Sequence, residues 1–286
     1  MLQVARLAPT LLGESRELVS AFLHRSMTPE GAFADRAGES DLYYTAFGLE
    51  GLLALHESVP DATSAYLRRF GDGESLDFVH LTCLARAWGS VSPGGPPDAV
   101  RAGIEARLGA YRSHDGGFAV IPGAEVGSAY ACFLALGACE DLGAAVDGAG
   151  MLACLEHVRA SDGAYANHPG AAEGSTPATA AAVMVMHRLG ETVDGRVEHW
   201  LLDRCHAEGG FFAAPRAPLP DLLSTATALH ALAALHADIS PLREPCLDFV
   251  DTLWTSTGGF YGSWADQVLD CEYTYYGLLA LGHLSL

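Results

Sequence analysis
A glycine turn followed by an aromatic residue recurs down this chain. It reads Gly116-Gly117-Phe118, Gly163-Ala164-Tyr165, Gly209-Gly210-Phe211 and Gly258-Gly259-Phe260, with Gly31-Ala32-Phe33 as a variant near the start. The aromatics of the last four copies stand 47, 46 and 49 positions apart. One supersecondary unit is therefore reused, and repetition at that period decides the fold before any single motif does.

Each copy passes from its turn through a short small or polar segment into an apolar stretch rich in Ala and Leu. Asp41-Leu42-Tyr43-Tyr44-Thr45 opens AFGLEGLLAL, Asp221-Leu222-Leu223-Ser224-Thr225 opens ATALHALAAL, and Asp270-Cys271-Glu272-Tyr273-Thr274 opens YYGLLALGHL. In all three an acid precedes a threonine by four positions. A carboxylate there can accept the unpaired amide protons of a first helical turn and meet the positive end of the helix dipole, so Asp41, Asp221 and Asp270 are expected to be N-caps. Ser175-Thr176-Pro177-Ala178-Thr179 keeps a hydroxyl cap, with proline tolerated in the first turn, whereas Gly127-Ser128-Ala129-Tyr130 lacks the acid. A sixth, degenerate copy has Gly71-Asp72-Gly73-Glu74 in place of the aromatic turn, and Asp77-Phe78-Val79-His80 opens LTCLARAW.

Amphipathic stretches such as VRAGIEARLGAYRSH and PLREPCLDFVDTLWTS lie between the apolar ones, with charge on one face. No alternating strand pattern is found. The expected fold is all-α: about six helical hairpins closed into a ring around a central cavity, apolar helices inside and amphipathic ones outside. It forms a single domain over residues 1–286, with an amphipathic first helix in 1–29 and repeats from about 30 to 286. An open superhelix is the alternative, but its end repeats should carry polar caps, and the last repeat here runs apolar to Leu286.

Half of the residues are hydrophobic, enough for a substantial core. The apolar runs are interrupted too often to span a membrane, and the apolar block at the N-terminus is too quickly followed by charge to be a secretory signal; a cytoplasmic location is the expectation. Seven cysteines without a Cys-x-x-Cys pair support neither a disulfide framework nor a zinc ribbon. The net charge is -19, and arginine supplies every cation in the absence of any lysine, which excludes an ordinary nucleic-acid footprint.

The segments SHDGGFAVIPGAEVGSAYACFLAL, EGAFADRAGESDLYYTAFGLEGLLAL and TGGFYGSWADQVLDCEYTYYGLLAL resemble the repeats of protein prenyltransferase beta subunits and, more distantly, those of squalene-hopene-type terpene cyclases. The resemblance implies an α/α toroid whose cavity holds an isoprenoid or another long apolar small molecule, and it admits a helical partner subunit. In the prenyltransferases a zinc ion is held by an Asp-x-Cys at one inner-helix start and by a histidine before the threonine of the next repeat. Matched by repeat order, those positions fall on Ser175, Pro177 and Ser224, none of them a usual zinc ligand. No cofactor is therefore expected, although Asp270, Glu272 and His80 would allow a recast zinc site. The stretch matching the family's diphosphate cations offers only His168, with Arg36 and Arg216 in equivalent turns of other repeats.

Class II terpene cyclases protonate an alkene or epoxide with the central acid of an Asp-x-Asp-Asp-Thr segment. Laid on that pattern, Asp270-Cys271-Glu272-Tyr273-Thr274 keeps the first acid, puts Glu272 at the proton donor and puts Tyr273 where the third acid would be. Burial would raise the pKa of Glu272, and hydrogen bonds from Cys271, Tyr273 or a cap amide would stabilise its anion. The resemblance thus implies Glu272 and Asp270 as catalytic candidates, and Asp77, the acid that opens the degenerate copy, is the third. Tyr43, Tyr44, His80, Tyr130, Trp264, Tyr273 and Tyr276, together with Tyr275, are the cavity candidates, their aromatic faces suited to cationic carbon.

Proton-initiated cyclisation is the leading expectation. Prenyl transfer with a partner subunit, a non-catalytic lipid- or partner-binding toroid, and a glycosidase pairing Asp270 or Glu272 with Asp41 or Asp77 are the alternatives. The turn aromatics Phe33, Phe118, Tyr165, Phe211 and Phe260 are expected to be packing staples, and His80, His230, His236 and His283 core or loop histidines.

Overall fold
The computed structural model describes residues 1–92 and 94–286. Two short turns, α1 (Leu2–Ala5) and α2 (Pro9–Leu12), lead into α3 (Arg16–Arg25). Inner and outer helices then alternate: α4 (Leu42–Ala54), α5 (Asp61–Arg68), α6 (Phe78–Val91), α7 (Asp98–Gly109), α8 (Ala129–Leu142), α9 (Gly148–His157), α10 (Thr176–Arg188), α11 (Gly195–Leu202), α12 (Leu222–Ala234), α13 (Arg243–Leu253) and α14 (Cys271–Leu284). The inner helices pack in the order α4, α6, α8, α10, α12, α14, and α14 returns against α4. The ring is closed.

Ala and Leu, strong helix formers without polar atoms, build the inner helices, and their starts are fixed by side chains. Asp41, Asp77, Asp221 and Asp270 accept the amides of Tyr44, His80, Ser224 and Tyr273, while Ser128 and Ser175 do the same for Ala131 and Ala178. The threonine four residues past an acidic cap has a second task. Thr45, Thr225 and Thr274 donate to the carbonyls of Asp41, Asp221 and Asp270 at 2.5, 2.7 and 2.7 Å. The same hydroxyls accept the amides of the turn aromatics Phe33, Phe211 and Phe260. The recurring acid and threonine thus weld these three glycine turns to their inner helices. The turn aromatics are buried as packing staples, and a Cβ on Gly48 or Gly277 would strike the ring of Phe33 or Phe260.

Two details depart from the sequence reading. The N-terminal segment is not one helix, because Pro9 cannot donate into a continuing ladder and starts a new turn, and Gly13 bends the chain at φ +52°. Strands do occur, as two ribbons, β1 (Phe33–Ala34) with β2 (Ser40–Asp41) and β3 (Phe211–Phe212) with β4 (Pro220–Asp221). At two residues each they are too short to leave an alternating pattern.

The seam of the ring joins the last turn to the first outer helix. Gly258 has φ +94°, and a Cβ there would collide with the carbonyl oxygen of Leu18 on α3. Gly258→Ala is expected to cost about 2–3 kcal/mol from the left-handed backbone and the clash together, measurable as a lowered midpoint in urea unfolding.

Candidate active site
The six caps give the cavity wall its arithmetic. Residues two past each cap, namely Tyr43, Val79, Tyr130, Pro177, Leu223 and Glu272, all line a cavity of about 260 Å³ in the bore. A further turn inward, five or six past the cap, come Ala46, Phe47, Cys83, Phe133, Leu134, Ala180, Ala181, Thr227 and Tyr276. Nine past come Arg86, Met184 and His230. This is the stripe that one helix face presents at about 100° per residue. All six inner helices therefore run in the same direction, with their N-termini at the Glu272 end. Past the third tier the bore widens into a chamber of about 490 Å³ lined by helix C-terminal residues such as Leu53, Ser90, Asp141 and Arg188. The two spaces share Met1, Cys83, Arg86, Phe133, Leu134, Met184 and His230.

Glu272 is the sole acid on the wall of the narrower chamber among the described residues. Its Oε1 accepts a hydrogen bond from the Tyr43 hydroxyl at 2.7 Å, across the seam between α14 and α4. Burial pushes the Glu272 carboxyl up, the Tyr43 hydrogen bond pulls it partly back, and the nearby Asp270 adds to the rise. Burial, with Tyr276 and Glu272 beside it, holds the Tyr43 phenol far above its ordinary range, so it stays a donor. Glu272 also sits in the first turn of α14, where the helix dipole favours an anion. Burial thus shifts Glu272 toward its neutral form, while the Tyr43 hydroxyl is placed to support the carboxylate.

With Glu272 as a proton donor, activity would fall as pH rises through its elevated value. Tyr43→Phe removes the downward pull, so that limb of the pH profile should move to higher pH. The rate should drop about ten- to a hundredfold for loss of one charge-assisted hydrogen bond to the product carboxylate; pH–rate profiles of the two proteins check both.

Of the sequence candidates, the structure brings Glu272, Tyr43, Tyr130 and Tyr276 to the cavity wall and leaves the others off it. Asp270 is buried behind the mouth, where it accepts from Arg36 at 2.8 Å as well as from the Tyr273 amide. Asp77 lies on the exposed rim and accepts from His80 Nδ1 at 2.8 Å. His80 points its other nitrogen at Asp41, 3.3 Å away; burial alone would lower its pKa, but Asp77 and Asp41 outweigh that and raise it. Tyr44 and Tyr273 are three past their caps, one step round the helix from the bore. Arg36 lies over the Tyr273 ring at 5.5 Å. Trp264 is outside the ring, its indole donating to Thr252 and its edge against Phe249. Tyr275 is fully buried among the inner helices. Cys271, an expected donor to Glu272, is also fully buried and absent from the wall.

The recast zinc set does not fit. Asp270 is engaged by Arg36, Glu272 by Tyr43, and both nitrogens of His80 by aspartates. Among the described residues no three His, Cys, Asp or Glu side chains come together as a metal site. The family's ligand positions hold the helix cap Ser175, the wall residue Pro177 and the buried Ser224, whose hydroxyl donates to Asp221 at 2.8 Å. The diphosphate candidates are occupied or dispersed: Arg36 pairs with Asp266 and Asp270, Arg216 with Glu173, and His168 contacts the carbonyl of Pro169.

The sequence reading missed Val79, Leu223, Phe47, Phe133, Arg86, and the inward face of His230. Arg86 is held by Glu50 of the neighbouring helix through two hydrogen bonds of 2.6 Å. Counting two, six and nine from every cap would have found most of them.

Among the described residues no helix is long and apolar enough to cross a membrane. No curated protein matches the sequence. Among solved structures, the apo type II terpene cyclase MstE from Scytonema superposes with a TM-score of 0.65 at 14% identity, over 96% of this chain and 97% of that one. A variant of the same protein in complex with geranylgeranyl dihydroxybenzoate gives 0.66 at 14%, covering 97% of both chains. Candida albicans protein geranylgeranyltransferase-I complexed with GGPP gives 0.54 at 15%, over 99% of this chain and 81% of that one. At these identities the likeness carries the fold. The family model of the prenyltransferase alpha-alpha toroid domain matches residues 10–85, 96–201 and 189–285, and with the cap, threonine and glycine turn in register around a closed ring, the chain belongs to that family.

Proposed function
We propose that this toroid is a terpenoid-processing enzyme that begins cyclisation by protonating a carbon–carbon double bond of an isoprenoid, with Glu272 as the acid. The observation that carries the reading is the pairing of Glu272 with Tyr43: a buried acid on an apolar wall, with a phenol placed to stabilise its conjugate base. Glu272 Oε1 accepts from Tyr43, leaving Oε2 to carry the proton. Transfer of that proton to the less substituted alkene carbon forms a C–H bond and leaves a tertiary cation on its neighbour. An internal double bond then supplies the electrons for ring closure. Tyr43, Phe47, Tyr130, Phe133 and Tyr276 present aromatic faces to the migrating charge, and the small wall residues Ala46, Ala180 and Ala181 leave room for a folded chain.

MstE, a type II terpene cyclase also solved with merosterolic acid A as product, supports the reading as a protein of the same fold and extent. Prenyl transfer from a diphosphate is less well served here, because the cations of the mouth are committed to carboxylates or dispersed.

Incubation of the purified protein with a panel of polyprenyl alcohols, diphosphates and prenylated aromatic acids, followed by mass spectrometry, tests the proposal. Products isomeric with their substrates are expected. Release of diphosphate with attachment to an acceptor would instead identify a transferase, and a co-purifying long-chain lipid that is never converted would identify a binding protein.

A further inference from the structure
The wider chamber of about 490 Å³, past the third tier, takes no part in proton donation. The inner helices α4, α6, α8 and α10 end on it, so its wall carries the negative ends of their dipoles. Arginines already occupy helix ends on this side of the ring. Arg6 and Arg16 donate to the carbonyls of Leu53 and Leu55 at the end of α4, at 3.3 and 2.5 Å, and Arg243 donates to that of Leu284 at the end of α14, at 2.9 Å.

Three arginines and three acids line the chamber, and most are committed to one another. Arg86 is bound to Glu50 and Arg188 to Glu140, while Arg6 sits on the Leu53 carbonyl. The Met1 amino group, on the wall of both chambers, is pushed down to about 6 by burial and is mostly uncharged at neutral pH. His230 pairs with His283 at 2.9 Å, and burial depresses it to about 2, so it is neutral as well. Asp141 is left. It is exposed on the chamber wall, and among the described residues no hydrogen bond supports its carboxylate. Desolvation pushes it up to about 6 while Arg86 pulls it back, which leaves it mostly ionised at neutral pH. It stands in the last turn of α8, where the helix dipole opposes an anion. A carboxylate in that place is unfavourable unless a donor or a cation meets it. The wall beside it is low: its Oδ1 lies 3.2 Å from where a Cβ on Gly89 would stand, and a Cβ on Gly137 would meet nothing within 4 Å.

Resting on the cyclase reading, which puts the reacting double bond at Glu272 and the other end of the substrate at the far end of the bore, we propose that the wide chamber receives the polar head of the isoprenoid and that Asp141 accepts a hydrogen bond from it. The head is one that donates and carries no negative charge, such as an amine, a hydroxyl or another N–H group. A diphosphate or carboxylate head would face the helix C-termini and the Asp141 carboxylate together, and like charge selects against it. The cations that could offset this are held by Glu50, Glu140 and the Leu53 carbonyl.

Calorimetric titration with farnesylamine, farnesol, farnesyl diphosphate and farnesoic acid tests the head site, using the Glu272→Gln protein so that turnover adds no heat. The amine and the alcohol should bind at least about tenfold more tightly than the two anions, the scale of one charge-assisted hydrogen bond. Adding Asp141→Asn should weaken farnesylamine at least about tenfold and tighten the diphosphate. Adding Gly137→Leu, which puts a side chain into the chamber at a position with room for it, should weaken all four probes and so tie the binding to this space. Binding of the diphosphate or the acid as tight as that of the amine, no binding of any probe, or unchanged affinities in a folded Asp141→Asn protein overturns the head site. Conversion by the wild type is measured separately. The expected preference without conversion would keep the head site and remove the cyclase, whereas conversion without the preference would remove the head site alone.

Discussion
Glu272→Gln should retain the fold and lose at least about a thousandfold in cyclisation rate, the middle of the range for removing a general acid. The amide is nearly isosteric and can still accept from the Tyr43 hydroxyl, so the wall, the cavity and the first turn of α14 survive. What it cannot do is deliver a proton to carbon. A structural defect would change substrate binding and rate together, whereas loss of the proton should lower kcat with little change in KM. Single-turnover assays and ligand-binding titrations separate the two cases. A variant that still converts substrate within tenfold of wild type would remove Glu272 from the reaction and return attention to the rest of the wall.

The largest effect on stability is expected two tiers further in. Glu50 is 6% exposed and accepts two hydrogen bonds from Arg86, whose guanidinium forms part of the wall. Burial works against the charge on Arg86 and Glu50 more than restores it. Glu50→Ala leaves that cation next to apolar surface without its counter-charge, and about 3 kcal/mol should be lost, the scale of breaking a buried pair from one side. Replacing both partners, as Glu50→Leu with Arg86→Met, should recover most of the loss, because neither charge then has to be kept from water. Urea unfolding of the single and double variants measures this, and equal stability of Glu50→Ala and wild type would mean that cavity water already screens the pair.

Much of the architecture was legible because a repeat states its physics several times over. The caps, the alternation of apolar and amphipathic helices and the ring itself were visible in spacing alone, and the closure of α14 on α4 followed from a chain that stays apolar to its last residue. The site was legible only in part. Glu272 stood out because its segment could be laid on the Asp-x-Asp-Asp-Thr pattern, but its two-residue offset from the cap was not carried to the other five helices. Val79 and Leu223 therefore went unnoticed, while Tyr44 and Tyr273, one residue further along, were counted as cavity residues. Trp264 looked equally suitable by type and lies outside the ring altogether. The partner of Glu272 was sought among its sequence neighbours, Cys271 and Tyr273, and comes instead from Tyr43, 229 positions away. Composition reports which side chains exist, whereas helical phase and ring closure decide which of them meet. The His230–His283 pair was hidden for the same reason: each looks like an ordinary core histidine until α12 and α14 are laid side by side.

The join between α14 and α4 has a bearing on how the molecule matures. Those two helices meet across nearly the whole length of the polypeptide, and contacts of such long range carry the greatest closure entropy and form late. Five-sixths of the barrel can assemble from local hairpins as the chain emerges, yet it would hold neither the acid nor the phenol in working position. The bore is therefore completed only when α14 docks on α4, and the Glu272–Tyr43 hydrogen bond forms with that closure.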